Sequence, residues 1–339
     1  MRRQTITAIF SATGFLLLIL DAKTALLSAS EGITLCLYTV VPALLPFFFL
    51  SMMLTASLMG RTLPLLRPIG AICKMPEGSE SILLSGLLGG YPSGAQTIAQ
   101  CWQSGYLQRD SASRMLGFCN LAGPSFLFGI VAQQFSSARS ALLLWLIQIL
   151  SAIATAMVLP EKPQAKVDAS LEKTTSPTQI LQSSIRIMAL ICGWVVLFRV
   201  ILGFLRRWFL WMLPIPLQVM LCGILELSNG CCELVRISSE GLRFVLASGM
   251  LAFGGVCVTM QTASAAHGLD LSGYIPAKLL QTILCLIFAL ILQKFLFSSS
   301  EQMSITPVFV PLLLTLLVIS AVILQKTENN SRISQPIGV

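Results

Sequence analysis

SILLSGLLGGYPSGAQTIAQCW, residues 81–102, is an apolar run of membrane-spanning length whose middle does not suit a continuous helix. Gly86, Gly89, Gly90 and Gly94 leave the backbone loose, and Pro92 lacks an amide donor, so the run is expected to break or bend near its centre. Broken backbone is tolerated at membrane depth only where protein buries it or where it lines a cavity. A second run, LQVMLCGILELSNGCCELV, residues 217–235, is interrupted in the same way by Glu226-Leu-Ser-Asn229-Gly230. Short, interrupted segments at corresponding places in two halves of a chain point to a transporter binding site.

The composition places these runs in a membrane protein. Of 339 residues, 55% are hydrophobic and 11% charged, and the mean hydropathy is +0.83. Soluble domains carry about 25% charged residues. Apolar runs reach the length that spans a hydrocarbon core of ~30 Å. The ~10-residue alternation of barrel strands is missing, so the expected fold is an all-α polytopic bundle with 8–10 membrane segments. Their expected positions are 6–28, 32–58, 80–101, 113–134, 139–160, 178–204, 214–236, 241–265, 274–297 and 304–325. Met1-Arg-Arg and the apolar stretch after it read as a first membrane helix rather than a signal peptide. The net charge of +8 is spread thinly between apolar runs and reads as a topology signal, not a nucleic-acid surface. The ten cysteines include no CxxC pair and are expected to pack as reduced, buried thiols.

The hydrophilic stretch 161–177 reads as a linker on the cytoplasmic side. It separates a first repeat over 31–160 from a second over 178–298, with a membrane helix over 1–30, another over 299–325 and a disordered tail over 326–339. Gly94 corresponds to Gly230, and the following Gly123-Pro124 to Gly254-Gly255. If the two broken runs are re-entrant hairpins, the loops divide their basic residues 13 inside to 7 outside, with Lys278 counted inside and both termini cytoplasmic. If every segment crosses, the split is 11 to 9. The hairpin arrangement agrees better with the positive-inside rule, although Arg206 and Arg207 fall on the wrong side. It leaves three crossings in each repeat, which makes the repeats inverted.

Glu226 lies in the middle of a broken apolar segment, where an ionisable group costs about 2.5–3.5 kcal/mol and faces a cavity or a partner. Ser93 and Gln96 sit beside the first break, Asn120 and Ser125 around Gly123-Pro124, and Ser228 and Asn229 beside the second break. With Glu226 they form the candidate solute site. The expected structural breaks are Gly90, Pro92, Gly94, Gly123, Pro124 and Gly230. Arg186 and Arg199 share the sixth segment and are read as reaching toward an interface. No enzymatic reading is supported: His267 is the sole histidine, Ser93 does not sit in a GxSxG turn, and no P-loop is present. No metal site and no cofactor are expected.

The stretch Gly86–Gln96, then Gly105-Tyr-Leu, then Phe118-Cys-Asn120-Leu-Ala-Gly-Pro124-Ser-Phe126, resembles the YlbJ-type sporulation integral membrane proteins. Val41-Pro42-Ala-Leu-Leu-Pro46-Phe-Phe is similar to that family's second span. The family lies within a wider group resembling the Gate, or nucleoside recognition, domain of nucleoside transporters and of the ferrous iron transporter. The clear resemblance covers residues 31–135, and the second half is similar in outline. Leu121 and Gln96 stand where family members often have asparagine and lysine. The resemblance implies two Gate-like repeats in a protein of the bacterial cytoplasmic membrane, acting in spore maturation. Its expected partners are the lipid bilayer, a small polar solute that it transports or gates, and a further copy of itself or other sporulation membrane proteins. The alternative is a non-transporting scaffold that recruits such partners.

Overall fold

The computed structural model describes residues 2–59, 61, 63–160 and 176–297, and all regular structure among them is helical. The linker up to residue 175, the helix expected over 299–325 and the tail over 326–339 lie outside the described residues.

The chain starts with α1 (Arg2–Leu20) and turns at Asp21 into α2 (Ala22–Leu35). A π-helical turn (Cys36–Val40) then joins α2 to α3 (Val41–Leu58). The apolar pattern put this first boundary at 29–31. The break lies instead at Asp21, whose carboxylate accepts the Thr24 amide at 3.3 Å and caps α2. Ser30 and Glu31, at that expected boundary, continue the helix. After α4 (Arg67–Ile72) come α5 (Glu80–Gly89) and α6 (Ser93–Gln103), then α7 (Arg109–Leu116). An extended stretch at Gly123 leads into α8 (Pro124–Phe126) and a π-helical turn (Leu127–Val131), followed by α9 (Ala138–Val158).

The second half opens with α10 (Pro177–Trp208), started by a capping box between Ser176 and Gln179 with proline at the first helical position. It continues with α11 (Ile215–Leu225), α12 (Leu227–Cys232), α13 (Glu240–Phe253), α14 (Gly255–Ala265) and α15 (Tyr274–Leu296). Five of the described helical stretches are long and apolar enough to cross a membrane: Ala22–Leu58, Ala138–Val158, Pro177–Trp208, Glu240–Ala265 and Tyr274–Leu296. Small residues bring α2 and α10 together. A Cβ on Gly203 would collide with Ser28, and one on Gly32 would meet the Val196 backbone at 3.1 Å. Close approach of this kind is how helices associate where lipid offers no hydrophobic contrast.

Hydrogen bonds between loops sort the chain into two faces. On the first face, the Arg114 guanidinium donates to the carbonyls of Cys73 (2.9 Å), Ala156 (2.7 Å) and Pro160 (3.0 Å). Arg109 donates to Gly268 O at 3.1 Å, and Ser113 Oγ accepts the Asp270 amide at 3.1 Å. On the second face, Arg207 pairs with Asp21 at 3.1 Å, the Ser136 amide donates to Glu240 at 2.8 Å, and Arg243 donates to Gln134 O at 2.5 Å. The α5–α6 pair opens toward the first face. The α11–α12 pair opens toward the second, its base closed by Arg236 donating to Gln218 Oε1 at 3.0 Å. The two broken segments are hairpins that enter from opposite faces.

Single cysteines at Glu77→Cys, Gln108→Cys, Met212→Cys and Ser238→Cys, in a background without native thiols, report this arrangement. A membrane-impermeant maleimide should label 77 and 108 from one side of intact membranes and 212 and 238 from the other. Labelling of 77 and 108 from opposite sides would mean that α5 and α6 cross as one segment.

Candidate functional site

In the first hairpin α5 and α6 lie side by side, with Ser85 Oγ and Thr97 Oγ1 2.8 Å apart. Gly86 and Gly94 face each other, and a Cβ on either would collide with the Cys119 carbonyl. The chain reverses at Gly90, Tyr91 and Pro92, where Gly90 takes φ +77°, a conformation that favours glycine, and the Tyr91–Pro92 peptide is cis. Gly94, expected to be a break, is inside α6 and serves close packing instead.

The second hairpin repeats the plan with different chemistry. Gly230 packs directly on the Gly223 backbone. The reversal is at Glu226, in extended backbone (φ −141°, ψ 116°). Gly230, also expected to be a break, lies within α12. The Glu226 carboxylate caps that helix, accepting the amides of Ser228 (3.0 Å) and Asn229 (2.6 Å) and Asn229 Nδ2 (2.7 Å).

Each hairpin tip rests on an interruption in the crossing segment that follows it. A Cβ on Gly123 would stand 3.1 Å from Gly90 Cα. In the second half Gly254 and Gly255 take φ +79° and +83°, and a Cβ on Gly255 would stand 2.9 Å from Gly223 O. The break expected at Gly123-Pro124 is therefore present, and its counterpart Gly254-Gly255 is an interruption as well.

The two tips meet around a cavity of about 30 Å³. Gly90, Tyr91 and Ser125 line it from the first half, and Glu226, Ser228 and Gln261 from the second, with Val40, Leu44 and Ile191 supplying apolar wall. Such a volume holds a water or two. The Ser125 hydroxyl is buried there without a hydrogen-bond partner among the described residues. Of the other candidate residues, Asn229 braces Glu226 from behind. Ser93 is buried at the start of α6, its Oγ crowded by Gly89. Gln96 is half-buried on α6, away from the cavity.

Asn120 belongs to a second polar cluster beside the first. Its Nδ2 donates to Thr262 Oγ1 at 2.9 Å and to Tyr274 OH at 3.3 Å. Its carbonyl accepts Lys278 Nζ at 2.5 Å. The charge count takes Lys278 as a cytoplasmic-side residue at the start of the segment expected over 274–297; it lies in the second turn of α15, fully buried. Tyr91 joins this cluster to the tips, its OH donating to the Leu251 carbonyl at 3.0 Å near the broken end of α13. Lys278 and Tyr91 carry little sequence signal: one sits near a segment boundary and the other is an aromatic next to a proline.

A wider cleft of about 410 Å³ opens on the second face, lined by Glu31, Arg199, Arg206, Asn229, Glu233 and Arg236. Arg199 pairs with Glu31 at 2.8 Å and donates to Asn229 Oδ1. Hydrogen bonds therefore run without interruption from Glu31 through Arg199 and Asn229 to Glu226 in the central cavity. Arg186 is exposed.

All ten cysteines are free. Burial pushes the Cys73 thiol up to about 12, against an opposing pull from Arg114, so this thiol stays protonated. Among the described residues no three His, Cys, Asp or Glu side chains gather as metal ligands. His267 is exposed in the turn after α14, whereas Ser93 is buried at the first hairpin tip.

The Tyr91 hydroxyl bridges the halves, so Tyr91→Phe leaves a buried carbonyl short of a donor. A cost of about 1–3 kcal/mol is expected, read as a lower thermal unfolding midpoint of the purified protein, whereas Tyr38→Phe, on an exposed aromatic, should leave the midpoint unchanged.

No protein-family model and no solved structure matches the chain. The sporulation integral membrane protein YlbJ of Bacillus subtilis (strain 168) is 25% identical over 354 aligned positions, which cover 88% of this chain and 86% of that protein. The likeness thus extends well beyond residues 31–135 and takes in both hairpins. Through most of its length the chain is similar to a YlbJ-type sporulation integral membrane protein.

Proposed function

We propose that this protein moves or gates a small polar solute across the bacterial cytoplasmic membrane during spore formation, at the junction of its two hairpin tips. The observation that carries this reading is the meeting of two hairpins from opposite faces around one buried cavity containing Glu226, Ser125 and Ser228. Inverted halves with discontinuous helices at their interface suit alternating access, in which one half rocks against the other around a fixed site. The cavity holds little more than a water, so a solute requires the tips to part. The Glu31–Arg199–Asn229–Glu226 chain offers a way for the cleft on the second face to register that movement. Likeness to a sporulation protein supports the biological setting, and the plan of paired hairpins supports the Gate-like resemblance.

The first face is assigned to the cytoplasm. It carries Arg61 and Lys74 in its connections and Arg67, Arg109 and Arg114 in the short helices α4 and α7, as the positive-inside rule requires. Arg206 and Arg207, which count against this assignment, are paired with Glu233 and Asp21.

Glu226→Gln separates the solute role from the structural one. The amide oxygen can still accept from Asn229, while the NH2 group takes the place of the oxygen that accepts the Ser228 amide, so the cap keeps part of its bonding and the charge is lost. In a thermal-shift screen of small polar metabolites on the purified protein, at least one compound should stabilise the wild type, and Glu226→Gln should bind it at least tenfold more weakly while folding normally. If no compound binds, and a strain carrying Glu226→Gln with Ser125→Ala sporulates normally, there is no solute site here. A scaffold role would show instead as sensitivity to exposed substitutions in the loop around Arg67 and Glu77.

A further inference from the structure

Lys278 poses a separate problem. Its side chain is fully buried, and among the described residues no carboxylate lies within ion-pair distance of it. An ammonium taken out of water without a counter-ion is costly unless its surroundings replace the lost solvent. Here the replacements are neutral oxygens: the Asn120 carbonyl at 2.5 Å, Gln281 Oε1 at 2.9 Å and the Tyr91 hydroxyl at 3.5 Å. The faces of Tyr91 and Tyr274 add to them, with ring centroids 5.2 and 5.8 Å from Nζ. Asn120 Oδ1, on the residue whose carbonyl holds the lysine, is buried with no partner.

A carbonyl freed by an interrupted helix, together with amide and hydroxyl oxygens, is the donor set with which membrane proteins hold small monovalent cations. The oxygens come from three places: the tip of the first hairpin, the stretch between α7 and α8, and α15 of the second half. We infer that the Lys278 ammonium is a tethered substitute for a bound monovalent cation, supplying from the chain itself the positive charge that holds this seam together. The seam therefore closes without sodium or potassium from solution. This inference concerns the seam alone and stands whether or not a solute passes beside it.

The test is thermal unfolding of the full-length protein in detergent, in choline, sodium, potassium or methylammonium chloride at equal ionic strength. The wild type should unfold at one temperature in all four salts. Lys278→Ala should unfold several degrees lower in choline and recover most of that loss in sodium or methylammonium, which can enter the vacated space. Lys278→Met, which fills the space with an apolar chain, should stay low in every salt. Sodium stabilisation of the wild type overturns the inference. So does a Lys278→Ala protein as stable as wild type in choline, one that no cation restores, or equal recovery by Lys278→Met. If Lys278→Ala folds only when sodium or methylammonium is present, the inference is upheld; if it folds in none of the salts, it fails.

Discussion

A main-chain amide or carbonyl without a partner is expensive in hydrocarbon, and among the described residues four membrane-embedded segments are interrupted. The structure meets that constraint by bringing the interruptions to one place and letting each side satisfy the other. The Ala122 amide is met by Gln148 Oε1 at 3.3 Å, and the Asn120 carbonyl by Lys278. Tyr91 reaches the Leu251 carbonyl, while Glu226 takes up the first amides of α12. Two of these bonds, from Lys278 and from Tyr91, join one half of the chain to the other. The polar centre of the protein is the consequence: groups gathered to complete broken helices are also groups able to meet a polar solute.

Glycines do the spatial work that makes this gathering feasible. Gly86 against Cys119, Gly94 against Gly86, Gly123 against Gly90 and Gly230 against Gly223 are approaches in which a methyl group has no room. The two halves solve the problem alike in backbone and differently in side chains. One tip is a tyrosine and a proline, and the other a glutamate that caps its own helix. A relative resemblance of the halves in outline, with little residue identity, follows from selecting on close approach.

Much of this was legible in the sequence because glycine and proline mark backbone behaviour directly. The interruptions at Gly90-Pro92 and Gly123-Pro124 follow from such marks, the polar stretch from Glu226 to Gly230 marks the second broken run, composition gives the helical class, and the loop charges favour hairpins. Gly94 and Gly230 misled because a glycine that loosens a turn and a glycine that lets two helices touch look the same in one dimension. The first boundary differs because Ser30 and Glu31 continue α2, while Asp21 accepts the Thr24 amide and caps that helix. The burial of Lys278, counted only as an inside charge, depends on Asn120 and Tyr91, more than 150 residues earlier in the chain. Ser125, Glu226 and Ser228 reach the cavity, but their meeting depends on the opposite insertion of the hairpins, which local patterns only suggest.

The most direct measurement is cross-linking between the halves at the central cavity. In a background without the native cysteines, Ser125→Cys and Ser228→Cys place one thiol from each half on the cavity wall with little change in volume. A short, membrane-permeant bifunctional thiol reagent applied to intact membranes should join the two positions rapidly within one chain, and much faster than a control pair of Ser125→Cys with Ser184→Cys, which lies outside the cavity lining. A pair at 125 and 228 that cross-links no faster than the control, in protein that is folded and inserted, would show that the hairpin tips do not meet.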